Sequence, residues 1–195
     1  MSRISVWLLV AALPLTAVAA PQTYTFDPHH TFCHFSVSHV GYSTLWGRFD
    51  KTSGKITIDP AAKSGALDIA VQTVSVNTGD SDRGSRTRSR DEHLRSADFL
   101  NAAEFPTMTY QANAFKFSGD KLAAVDGRLT LLGVTKPLTL TVDAWKCGPH
   151  PVTKQEMCGG NASGQIKRSD FGMKFLQHVV GDDFKIFVEF EAYRE

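Results

Sequence analysis

The chain has 195 residues, with Lys plus Arg at 21 against Asp plus Glu at 20, a length that suits one domain. So even a balance excludes the surplus of Lys and Arg with which proteins grip nucleic acid. No basic amphipathic helix is evident either, which argues against a membrane-surface binder.

In chain order, Arg3, the apolar run Ile4 to Leu15 and the small-x-small triplet Ala17-Val18-Ala19 come first, and together they read as a secretory signal peptide. The cut is expected after Ala19, because a cut after Ala20 would set Pro21 beside the scissile bond. Pro14 interrupts a run already short of the ~20 residues of a membrane span, so no stable membrane anchor is predicted. Residues 1–19 are thus assigned to the signal peptide and 20–195 to a single domain. Loss of Arg3 leaves the mature chain formally neutral.

The stretch HTFCHFSVSHVGYS, His30 to Ser43, alternates. Cys33, Phe35 and Val37 fall on one face and Phe32, His34 and Ser36 on the other, the period of a half-buried strand. His30 and His34 share a face, but on a strand they stand about 13 Å apart, too far to close on one ion. No metal site is expected there, and the histidines are read as hydrogen-bonding residues near strand ends.

Further strands follow the same rule. Ile56 and Ile58 alternate in KITID, and Leu67, Ile69 and Val71 in ALDIAVQTV. The segment Thr78 to Pro106 interrupts them. Its first half is rich in Gly, Ser and Arg and reads as a solvated loop, with Arg83, Arg86 and Arg88 interleaved with acidic residues. Ser89 followed three residues later by Glu92 is a capping box, which predicts a short helix near Arg90 to Phe99. Strands resume with Val125, Gly127, Leu129 and Leu131, then with Leu138, Leu140, Val142 and Ala144, and finally with Phe184, Ile186, Val188, Phe190 and Ala192.

Cys147 and Cys158 bracket a polar segment holding Pro149 and Pro151 between two strand-like runs. In an exported chain this predicts a disulfide, worth roughly 2.5 to 3 kcal/mol in the chain-entropy model. The rival, a metal pair with His150, fits no compact zinc spacing. Cys33 is left as a buried free thiol.

About eight long antiparallel strands joined by short turns predict an all-β fold, with the sheet closed into a barrel to remove its edges. Small residues on core-facing positions, among them Ala112, Ala114, Ala123, Gly127, Ala162 and Gly164, suggest room for one ligand.

The spacing of Asp27, His30, Phe35, Val37, His39, Gly41, Ser43, Gly47 and Phe49 resembles the opening signature of the YceI-like family of exported, polyisoprenoid-binding proteins. RDEHLRSADF, FPTMTY, GRLTLLGVTKPLTL and RSDFGM agree in the same order. The resemblance implies a lipocalin-like, eight-stranded antiparallel β-barrel in the periplasm whose apolar channel holds a polyprenyl or similar long-chain lipid, such as an isoprenoid quinone or a polyprenyl phosphate. The chain departs from it in a longer loop between Thr78 and Arg90 and in Cys33, where an aliphatic residue is usual.

On this reading the channel wall is Phe35, Val37, Trp46, Phe49, Ile69, Val71, Ala112, Leu129, Leu131, Leu140 and Ile186. Arg90, Asp91 and His93 are placed to meet a polar head group, although they equally suit a capping and ion-pair cluster that staples the helix. His93 beside Asp91 is the best catalytic candidate, yet residues two apart on a helix do not face each other. A binding protein rather than an enzyme is therefore expected, with an isoprenoid lipid as partner, no cofactor, no metal, and a homodimer left open. Two alternatives remain: an interaction or stress protein with a filled core, and a lipid-modifying enzyme using His93. Apolar walls do not read head groups, so the lipid's identity is open.

Overall fold

A computed structural model describes residues 20–195; the signal peptide expected over 1–19 lies outside them. The strands are β1 (Gln22–Phe26), β2 (Phe32–His39), β3 (Ser43–Phe49), β4 (Thr52–Asp59), β5 (Ser64–Gln72) and the two-residue β6 (Val76–Asn77). After helix α1 (Arg90–Arg95) come β7 (Thr107–Ser118), β8 (Lys121–Leu131), β9 (Val134–Pro149), β10 (Glu156–Lys167) and β11 (Asp183–Arg194).

Neighbouring strands pair in the order β1-β4-β5-β7-β8-β9-β10-β11, and β11 returns to β1, so these eight close a ring. Every pairing is antiparallel. This is the eight-stranded barrel that the alternation predicts. A flap of β2, β3 and β6 continues from β11. β11 serves both neighbours: Lys185 to Glu189 face β2, while Ala192 to Arg194 face β1.

The period of two sends one face of each strand inward. Ile56, Ile58, Leu67, Ile69, Val71, Leu129, Leu131, Leu138 and Leu140 are all buried in one cluster. Full burial of each such side chain stabilises by about 1.5 to 3 kcal/mol before the entropy of ordering is charged against it.

The helix begins as the capping box requires. Ser89 Oγ accepts from the Glu92 N–H, and the Glu92 carboxylate accepts from the Ser89 N–H. It is shorter than the expected stretch to Phe99, because Ser96 turns to an extended conformation and its N–H and hydroxyl both close on the His93 carbonyl. Leu94 from the helix, and Phe99 and Leu100 from the turns beyond it, pack against the barrel cluster.

Cys147 and Cys158 stand directly opposite each other in the β9–β10 ladder and are joined as a disulfide. Cys33 is free. It is partly covered as a residue, but its sulfur faces the interior, and burial pushes the thiol up to about 12.

Candidate functional site

Inside the barrel lies a cavity of about 110 Å³ whose open surface is wholly apolar. Phe35 reaches it from β2, Phe49 from β3, Ile69 and Val71 from β5, Leu129 and Leu131 from β8, Leu140 from β9 and Ile186 from β11. Leu94, Phe99 and Leu100 approach from the helix and the turns behind it.

Three expected wall residues lie elsewhere. Val37 is buried opposite Leu45, on the same face of β2 as Phe35 but beyond the cavity. Trp46 is 58% exposed and stacks on Phe187, with ring centroids 5.6 Å apart. The inward place on β3 across from Phe35 belongs to Gly47, so the strand's period turns Trp46 out. Ala112 pairs with Leu67 and Gly127, and the Tyr110 ring lies against Gly127, so Ala112 does not reach the cavity.

The expected head-group trio is also displaced. Asp91, buried, accepts from both the N–H and the hydroxyl of Thr78, at 2.9 and 2.6 Å. The Arg90 guanidinium donates to Thr78 Oγ1 at 2.7 Å and to its carbonyl at 3.1 Å. His93 Nε2 lies 2.9 Å from Asp98 Oδ2, and the ring packs edge-on against Phe99 and Phe175. None of the three lines the cavity. They staple the helix to the loop at Thr78 and to Asp98, the second reading that the sequence left open. His93 takes Asp98 and not Asp91 as its carboxylate, as the helical spacing requires.

The loop arginines are spent in the same way. Arg83 donates to Glu92, Arg86 to Asp80 and Arg88 to Asp98. The first of these, with the Ser89 N–H, holds the Glu92 carboxyl down at about 2.

Three polar residues of the interior escaped the sequence reading. Tyr110 Oη donates to the carbonyls of Val125 and Leu138, at 2.9 Å each, and burial raises its pKa. Arg168, 1% exposed, lines the cavity while its guanidinium donates to the carbonyls of Gly181, Met173, Phe175 and Val180 at 2.8 to 3.0 Å. Desolvation lowers its pKa, partly offset by nearby Asp182. Thr52, 3% exposed, also lines the cavity. Its signal was available in sequence: Thr52 shares the period of Ile56 and Ile58 and so faces inward.

Asp27, His30 and Glu191 bring one ligand atom each within 4.8 Å of one another, close enough to hold an ion. Glu191 is remote in sequence, so spacing could not have revealed the group. A bond of 2.7 Å between His30 Nδ1 and Asp27 Oδ2 accounts for the approach without a metal. It raises the His30 pKa and lowers that of Asp27. His34 bonds Glu189 in the same manner, at 3.0 Å.

The YceI-like domain model matches residues 24–192, from within β1 to within β11. The chain belongs to the YceI-like family. Protein YceI of Escherichia coli O157:H7 is 39% identical over 162 residues, covering 82% of this chain and 79% of that protein. The crystal structure of the Campylobacter jejuni YceI protein superposes with a TM-score of 0.66 at 28% identity, over 81% of this chain and 90% of that one. A domain from Saccharophagus degradans, described as polyisoprenoid-binding, has the same fold, with a TM-score of 0.63 at 18% identity over 89% and 99% of the two chains. In this YceI-like barrel no described helix is long and apolar enough to cross a membrane.

Proposed function

We propose that the chain is a periplasmic carrier that holds a polyisoprenoid or similar long-chain lipid, such as an isoprenoid quinone, in the barrel interior, and that it acts by binding rather than by catalysis. The observation that carries this is a cavity with a wholly apolar surface at the centre of a closed barrel. The fold it shares with a polyisoprenoid-binding domain of Saccharophagus degradans supports the same reading.

The cavity of about 110 Å³ is smaller than the ~150 Å³ of an engineered cavity that accepts benzene. A long chain therefore enters by parting the wall rather than by filling a ready void. The gross driving force is sufficient: forty carbons at ~0.8 kcal/mol each give roughly 30 kcal/mol. Binding saturates near about 20 kcal/mol, which leaves a margin for moving side chains and ordering the lipid.

The small volume also favours a second reading, a filled barrel that serves an interaction or stress role. Native mass spectrometry of the protein taken from its own periplasm separates the two. The carrier reading expects a bound mass that organic solvent extracts. A protein that emerges empty and takes up neither added octaprenol nor an isoprenoid quinone would instead be a filled barrel.

A further inference from the structure

The interior of the barrel holds one polar atom with nothing to bond. Among buried side-chain nitrogens and oxygens of the described residues, Thr52 Oγ1 alone has no hydrogen-bond partner. Native proteins rarely leave such a group unpaired, because its lost hydration is not recovered. Valine has nearly the same shape and would avoid that cost.

The other buried polar side chains of the lining are already engaged. Tyr110 Oη is shared between two carbonyls, and Arg168 places four of its five N–H groups on backbone oxygens. Thr52 stands across the ladder from Val71, another cavity residue, and both are buried. The cavity's open surface is apolar, so the hydroxyl is reached only as the wall parts, the same movement that a long chain requires.

We propose that the Thr52 hydroxyl is the polar anchor of the interior, and that the bound chain carries a neutral oxygen there: an alcohol, a phenol or a quinone carbonyl. This rests on the carrier reading and narrows it. A hydroxyl can donate one hydrogen bond and accept others, which matches a neutral oxygen. It cannot compensate the desolvation of a phosphate, and the charge of Arg168 is screened behind its cage of carbonyls.

The test uses the full mature protein stripped of lipid, with octaprenol, octaprenyl phosphate and the chain-matched hydrocarbon ending in methyl, in competition by native mass spectrometry. Wild type should prefer octaprenol to the hydrocarbon roughly three- to tenfold, the size of one neutral hydrogen bond, and should bind the phosphate less than the alcohol. Thr52→Val should take alcohol and hydrocarbon equally, with a raised denaturant midpoint when ligand-free, while Thr52→Ser keeps the preference. If Thr52→Val retains the preference, if wild type binds both chains without one, or if the phosphate binds tightest, the anchor is wrong and the carrier reading stands. If wild type binds none of the three but does bind an isoprenoid quinone, the anchor is wrong; if it binds no quinone either, the carrier reading falls and takes the anchor with it.

Discussion

The ring of Tyr110 occupies the space that Gly127 leaves by having no side chain. A Cβ on Gly127 would stand 2.5 Å from Tyr110 Cζ and 2.6 Å from the backbone oxygen of Gln111. The second contact is with a strand backbone, so moving the ring alone cannot relieve it. Gly127→Ala is expected to cost about 1 to 3 kcal/mol, the range for overpacking a close-fitted core. Urea unfolding would show it as a lowered midpoint at unchanged slope.

Val71 offers a direct obstruction of the cavity, which Ala112 does not. Val71→Phe adds bulk to the lining opposite Thr52. Where the wall is built to part, the added volume is partly absorbed, and we expect bound lipid to fall severalfold while stability drops by less than about 1 kcal/mol. Lipid extraction and denaturant unfolding on the same preparations would check the two halves separately.

Glu92 gives a pH-dependent prediction with a defined sign. Its carboxyl titrates at about 2 in the folded chain, against about 4.3 when unfolded. The unfolded state therefore binds more protons between those values, and the contribution of Glu92 is present above about 4.3 and lost as pH falls to about 2. Glu92→Gln keeps the capping geometry but not the charge. The stability gap between variant and wild type should be constant at neutral pH, shrink below pH 5 and disappear as pH falls through about 2, as followed by thermal unfolding across that range.

Thiol chemistry should divide the three cysteines. Denatured, unreduced protein should show one reactive thiol, that of Cys33. In the folded state at pH 8 that thiol, raised to about 12 by burial, should react several orders of magnitude more slowly than an exposed cysteine. Replacing both Cys147 and Cys158 by Ala should cost roughly 2 to 4 kcal/mol. A count of three thiols before reduction would contradict the pairing.

Much of the barrel was legible because its signals are local. The period of two marks which face of β5, β8 or β11 turns inward, and Ser89 with Glu92 marks where the helix starts. Height along a strand carries no such signal, so Val37 and Ala112 share a face with true cavity residues and still miss the cavity. The small residue Gly127 suggested room for a ligand, whereas the room belongs to Tyr110. Charge near a cavity was equally ambiguous: Arg90, Asp91 and His93 are consumed by Thr78 and Asp98. Arg168 shows the opposite failure, since its carbonyl cage is made of backbone that no side-chain pattern announces.

The last strand seals the seam of the first. Tyr24 in β1 pairs with Arg194 in β11, and β2 borders the same strand. Contacts between such distant parts of a chain pay a large loop-closure entropy and form late. Until β11 is made, β1 lacks one neighbour, β2 lacks its barrel-side neighbour and β10 ends as an open edge. A growing chain thus keeps an unsealed barrel, with three strands short of a neighbour, until β11 has been made.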